Sequence, residues 1–196
     1  MNFFEIYAPR PRGEGRPSPP DSLTINLAEP ADVEAIASLS SERSGLQFDA
    51  QLQLIQNEIS GREDTTQLFV AQHDHKVVGF ARNKFFTLPA DIPANCAPPG
   101  WYLQGIIVDP AYRRLGIASE LTQRRLHWLA GRASEAYYFC NAQNQVSIDL
   151  HQHFGFKEMT RNFTFPGVTF QGGIGILYRI NLTAFSCVRY HFGVSP

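Results

Sequence analysis

The chain is short of paired cysteines, of long apolar runs and of net charge. Its 196 residues hold three cysteines, Cys96, Cys140 and Cys187. An odd number at wide spacing argues against a disulfide framework and against a cysteine-based zinc site. No apolar run nears the roughly 20 residues that a membrane helix needs. Met1-Asn2-Phe3-Phe4-Glu5 lacks the basic start and apolar core of a signal peptide. The expectation is a cytoplasmic protein with no membrane partner. A net charge of −1 removes the electrostatic basis for a nucleic-acid partner. Internal repeats and coiled-coil heptads are absent too.

What is present is one globular domain. With 43% hydrophobic and 18% charged residues, the chain has an ordinary balance and enough length for a core. Residues 1–22 include PRPRGEGRPSPP, where proline fixes φ and removes donors. They read as an arm before a domain spanning 23–183, with 184–196 as a tail.

The domain is organised around Trp101–Trp128. An apolar run from Tyr102 to Val108 stops at Asp109-Pro110, a turn signal. Arg113-Arg114-Leu115-Gly116-Ile117-Ala118 follows, and then a helical pattern. A strand, a basic glycine-containing turn and a helix start make an anion site, because the first amides of a helix lack intrahelical partners. Two arginines beside them suit a pyrophosphate.

Around this stretch the periodicity assigns the remaining elements. Leu23–Leu27 alternates as a half-buried strand, and Pro30-Ala31-Asp32 opens a helix with Val33, Ile36 and Leu39 on one stripe. Residues 40–48 read as a loop. Asp49 is the expected cap of a second helix carrying Leu52, Ile55 and Ile59. Gln67–Ala71 and Val77–Phe86 read as a hairpin about His73-Asp74-His75. Those two histidines and an aspartate invite a metal, but neighbours on a hairpin tip point different ways. Residues 88–100 carry four prolines and form a loop.

After the turn, Leu115, Ala118, Thr122, Leu126 and Leu129 are the expected inner face of a helix. Ala136–Cys140 is a buried strand. Asn144–Phe156 is a helix with Asn144 as N-cap, Val146, Leu150 and Phe154 as core stripe, and Gly155 as left-handed stop. Lys157–Phe165 and Ile174–Leu182 are strands. Strand, helix, strand implies a right-handed crossover with parallel neighbours. The expected architecture is a mixed α/β sheet with helices on both faces.

Two motifs resemble those of the GCN5-related N-acetyltransferases (GNAT). Arg113-Arg114-Leu115-Gly116-Ile117-Ala118 resembles the family's acetyl-CoA motif, in the strand-turn-helix context it needs. Asn144-x-x-Ser147-x-x-Leu150-His151-x-x-Phe154-Gly155-Phe156 resembles its second signature. The resemblance covers about four-fifths of the chain. It implies acyl transfer from acetyl-CoA to an amine, and a splayed, mostly antiparallel sheet with a parallel pair at the cofactor. It also implies that the backbone of Ile107 and Val108 meets the pantetheine arm. The amides from Arg114 to Ser119 would hold the pyrophosphate, with Asn144 and Ser147 bordering the cofactor.

His151 stands where the family commonly has tyrosine, read as the acid that protonates the leaving thiolate. Histidine does this if its imidazolium is stabilised, or it hydrogen-bonds as the neutral ring. No base is evident, since the positions where relatives carry glutamate hold Leu103, Gln104 and Gly105. Gln104 can orient water. Residues 44–48, 85–101 and 165–173 should select the acceptor, with Phe48, Trp101 and Gln104 as contacts. They contain one acid, Asp91, so a small, partly apolar or amino-acid-like amine is favoured over a polycation. A homodimer through Tyr190-His191-Phe192 is a further expectation. The alternative is a catalytically weak acyl-CoA sensor. A dinucleotide-binding fold would want a Gly-x-Gly-x-x-Gly turn, which is missing.

Overall fold

Strand-forming residues recur from Leu23 to Asn181, and the sheet they build is the frame of the molecule. The computed structural model describes residues 18–61, 65–91, 93–170 and 173–183. Among these, seven strands form one sheet in the order β1-β2-β3-β4-β5-β7-β6. They are β1 (Leu23–Leu27), β2 (Thr66–His73), β3 (Lys76–Phe86), β4 (Gly100–Val108), β5 (Glu135–Asn141), β6 (Lys157–Thr160) and β7 (Gly175–Asn181). Neighbours are antiparallel except β4 and β5, which are parallel. The helices are α1 (Val33–Ser44), α2 (Phe48–Ser60), α3 (Ile117–Ala130) and α4 (Gln145–His153).

Period-two alternation sorts side chains to the two faces. Leu68, Val70 and Phe80 meet Ile36 and Leu39 of α1 and Ile55 of α2. Phe69, Ala71, Val78 and Ala81 point the other way, onto Ile117 and Leu121 of α3. Farther along, Tyr138, Ile176 and Tyr178 pack under Leu126, Leu129 and Ile148. The β2–β3 turn puts Asp74 (φ 48°) and His75 (φ 63°) in left-handed backbone, the two-residue hairpin geometry that matches strand twist. Among the described residues no group of three metal-ligating side chains gathers there or elsewhere. No described helix is long and apolar enough to cross a membrane.

Several boundaries and faces differ from the sequence reading. α1 runs on to Ser44 because Gly45, at φ 71°, supplies the left-handed stop. α2 starts at Phe48 after Gln47, without Asp49 as cap. Leu115 lies before α3 and is exposed, while Ile117, Leu121 and Arg125 fill the inner face with Thr122, Leu126 and Leu129. α4 buries Ile148 and His151, leaving Val146, Leu150 and Phe154 half-buried. β6 ends at Thr160, where Arg161 turns back to pair with Glu158 at 2.8 Å. Beyond it, Phe163 and Phe165 leave the sheet edge for a cluster with Phe86, Tyr102 and Phe139. There the chain is laced to the proline-rich loop. Ala97 N donates to Thr164 O at 2.8 Å and Thr164 N to Asn95 O at 2.9 Å. Most of the arm and all of the tail from 184, with its expected dimer aromatics, lie outside the described residues.

Candidate functional site

β4 ends in a turn whose backbone is set residue by residue. Asp109 accepts from Ala111 N at 2.9 Å and so caps one short turn, Pro110–Tyr112. Arg113 Nε donates back to Val108 O at 3.2 Å, tying the turn to the strand end. Arg114 (φ 66°) and Gly116 (φ 79°), on either side of Leu115, are both left-handed, the kind of backbone that gathers N–H groups into an anion cradle. Gly116 caps α3, and its carbonyl accepts from Ser119 N at 2.9 Å and Glu120 N at 3.1 Å. The amides of Ile117 and Ala118, first in the helix, have no partner within it. With Arg113 and Arg114 beside them they are a donor set that fits a pyrophosphate. Ser119, by contrast, spends its amide on Gly116.

Beside this turn the sheet opens. β4 pairs with β3 from Gly100 to Val108, but with β5 only at Tyr102↔Tyr137. The two strands part from Leu103 onward. A bulge accompanies the parting: Gln104 opposes Arg82 and Ile106 opposes Ala81, which leaves Gly105 as the extra residue at φ 45°. A bulge bends its strand and sharpens the twist, and glycine takes a positive φ without strain. The β5-facing edge of β4, Ile107 and Val108 included, is thereby left to something other than the sheet.

α4 closes the far side of the gap. Asn144 Oδ1 accepts from Ser147 N at 3.2 Å and caps the helix. His151 Nδ1 donates to Ser147 O at 2.8 Å, and its ring lies on Tyr138 with centroids 3.7 Å apart and planes 8° off parallel. The spacing thus brings Asn144, Ser147 and His151 together, the first two half-buried and His151 buried. Burial, with the Arg125 guanidinium nearby, pushes the His151 pKa down to about 3. At neutral pH the ring is uncharged, carries its proton on Nδ1, and presents a lone pair at Nε2. That atom has no hydrogen-bond partner among the described residues.

This ring makes stability depend on pH with a defined sign. The unfolded histidine, near 6.5, binds a proton more readily than the folded one, near 3. The neutral ring's contribution is therefore full above pH 6.5 and is lost as pH falls toward 3. The slope approaches ~1.4 kcal/mol per pH unit. His151→Phe keeps the stack on Tyr138 and cannot titrate, so its unfolding free energy should fall less steeply from pH 6.5 to 4. Parallel wild-type and variant curves in urea titrations would refute this.

The acceptor-side candidates divide. Gln104 lies opposite Arg82 on the α1/α2 face, where Arg82 Nη1 donates to Glu58 Oε1 of α2 at 3.1 Å. Burial raises the Glu58 pKa, opposed by Arg82 and Lys84. Phe48 opens α2 and is exposed. Trp101, an odd number of residues from Gln104, points to the opposite face. It packs edge-on against Phe85 and Trp128 at 5.3 and 5.1 Å and is core, apart from Gln104 and Phe48. Glu58, Arg82 and Arg125 escaped the sequence reading. Arg125 had a signal, since it follows Ile117 and Leu121 at helical spacing.

The acetyltransferase (GNAT) family model matches residues 33–156, from the start of α1 through both motifs. The chain belongs to the GNAT family. Aminoglycoside N(6')-acetyltransferase type 1 of Salmonella typhimurium is 30% identical over 95 residues, 47% of this chain and 63% of that protein. The chain thus spans just under two-thirds of the length of the curated relatives it matches. An N-acetyltransferase from Staphylococcus aureus superposes with a TM-score of 0.61 at 23% identity, covering 82% of this chain and 98% of that one. The structure of yncA from Salmonella typhimurium with its cofactor acetyl-CoA gives 0.61 at 17% identity, over 83% and 95%. At these identities the two structures establish the GNAT fold, and the parted β4–β5 pair is this chain's version of its splayed sheet.

Proposed function

We propose that this GNAT protein transfers an acetyl group directly from acetyl-CoA to the primary amine of a small acceptor, amino-acid-like or partly apolar. The observation that carries the reading is the parting of β4 and β5 directly before a turn of left-handed Arg114 and Gly116 at a helix start. In this reading the amides of Ile117 and Ala118 hold the pyrophosphate, with Arg113 and Arg114 adding charge. Leu115 and Ser119 flank that cradle. The edge of β4 at Ile107 and Val108, unpaired with β5, takes the pantetheine arm, and Asn144 and Ser147 border it from α4. When bound, the cofactor supplies an acetyl group activated as a thioester.

Gln104 orients the incoming amine, or a water beside it, on the α1/α2 face. It cannot accept a proton at neutral pH, so the amine reaches the site neutral or loses its proton to solvent. Of the two modes considered for His151, its burial supports the neutral ring, acting as an acceptor at Nε2. Solvent then supplies the proton that the departing sulfur finally takes.

The acceptor-side segments contain only Asp91 as an acid, which favours a small amine over a polycation. The aminoglycoside relative makes an aminoglycoside the comparison to run. A catalytically weak acyl-CoA sensor is the second reading, favoured by the lack of a carboxylate from Leu103 to Gly105. One experiment separates them: thermal midpoint with acetyl-CoA, then CoA release with amino acids, arylalkylamines and an aminoglycoside. A midpoint rise with turnover on a small amine is expected. A rise without turnover on any amine supports the sensor, and no rise with a saturating dose overturns both.

A further inference from the structure

Among the described residues, Arg125 is a buried charge with no counter-ion. It lies on the inner face of α3 and is 1% exposed. Its Nη1 donates to Arg82 O at 3.3 Å and its Nη2 to Thr122 Oγ1 at 3.1 Å. Neither partner is charged, and Nε–H has none. Burial pulls the guanidinium pKa down to about 9, which still leaves it charged at pH 7. A buried ion without a counter-ion is strongly destabilising, and a group perturbed in this way is a functional-site candidate.

Its place in the fold gives the charge an object. Asn83 Nδ2 donates to Arg125 O at 3.3 Å. Asn83 faces Leu103, the first residue of β4 beyond the single pairing with β5. Across the gap, Tyr138 follows Tyr137 and carries the stacked His151. Arg125, held over β3 at Arg82 O, and His151, stacked over β5 on Tyr138, therefore lie on either side of the β4 position where the gap begins, and the Arg125 charge lowers the proton affinity of the ring. Three buried atoms of this cluster lack partners among the described residues: the donor Arg125 Nε and the acceptors Asn83 Oδ1 and His151 Nε2. The titratable groups around it are His151 on α4 and Tyr138 and Cys140 on β5. Burial holds all three neutral at pH 7, so none of them offsets the guanidinium charge; the carboxylate of Glu58 is paired with Arg82.

We propose that Arg125 stabilises the sulfur of coenzyme A as it becomes a thiolate. The proposal rests on the acyl-CoA reading above. Attack by the amine nitrogen forms the C–N bond and breaks the C–S bond. The electron pair of the broken bond goes to sulfur, and the nitrogen's proton leaves to solvent, which later returns one to sulfur. A fixed positive charge beside the leaving atom lowers the need for a proton donor at the moment of cleavage. This is how a neutral His151 can stand in a position where relatives place an acid.

The test reads the thiol itself rather than turnover. Coenzyme A, with its free thiol, is bound to wild type, Arg125→Met and Arg125→Lys. The thiolate is then titrated by its ultraviolet difference absorbance against coenzyme-free protein. A free thiol titrates near pH ~8.5. The wild-type complex should titrate at least about one unit lower, a roughly tenfold gain in thiolate at a given pH. Arg125→Lys should keep most of the shift, and Arg125→Met should lose it. A wild-type thiol titrating at or above the free value overturns the proposal, even if Arg125→Met fails to fold. If coenzyme A gives no midpoint rise, the acyl-CoA reading falls and this inference with it. A rise with an unshifted thiol overturns this inference alone.

Discussion

Replacing Gly116 with tryptophan removes the rise in thermal midpoint that acetyl-CoA gives the wild-type protein. The residue caps α3 at φ 79°, so any side chain pays a left-handed strain of about 1 kcal/mol. That cost lowers the unliganded midpoint slightly. The larger effect is steric, because an indole at this position fills the space in front of the Ile117 and Ala118 amides. A ligand present at a hundred times its dissociation constant stabilises by about 2.7 kcal/mol, and Gly116→Trp should forfeit all of it along with turnover. Gly116→Ala, with the same strain and little bulk, should keep part of the rise. A full-sized rise in Gly116→Trp would mean that the cofactor binds somewhere other than this turn.

Tyr102→Ala should cost about 3–5 kcal/mol of folding stability, the range for deleting a buried aromatic side chain. Tyr102 is fully buried. Its ring stacks on Tyr137 at 5.3 Å and meets Phe165 at 5.1 Å, with Phe86 and Phe139 each at 6.0 Å. Its hydroxyl donates to Pro98 O at 2.6 Å, and burial pushes its pKa well above the usual phenol range. It is also the residue at which β4 and β5 touch. Removing the ring loosens the pin that sets where the gap begins, so acetyl-CoA binding should weaken too. Tyr102→Phe keeps the ring and loses one hydrogen bond, about 1 kcal/mol, and should bind acetyl-CoA normally. Denaturant midpoints decide the stability claim, and a loss below about 1 kcal/mol for Tyr102→Ala would refute it.

The order of elements, the parallel pair and the turn at Gly116 were legible because each has a local cause: alternation, a proline stop, a glycine before a helix. What escaped was set by partners distant in sequence. On α4 the apolar residues Val146, Leu150 and Phe154 suggested one face, yet the helix turns His151 and Ile148 inward. A neutral imidazole whose Nδ1–H is satisfied by its own helix packs as a flat ring, and Tyr138 offers a flat surface. Gly105 read as the loss of a glutamate. It is the bulge residue beside the parted strands, which no pattern in Leu103–Ile107 reveals. Arg125 occupies an apolar stripe that a hydropathy pattern simply skips. β6 stops early because Phe163 and Phe165 find better burial against Phe139 than at a sheet edge.

The lacing of the proline-rich loop to the segment after β6 has an evolutionary corollary. Asn95, Ala97 and Thr164 exchange main-chain hydrogen bonds, and Asn95 Nδ2 also donates to Asn162 Oδ1 at 3.0 Å. Two stretches almost 70 positions apart in the chain thus make one wall, and in the proposed reading that wall faces the acceptor. An insertion or deletion in either breaks the register of the other. Descendants of this chain can change that wall only by paired changes, and a chimera carrying one stretch from a relative inherits half a surface.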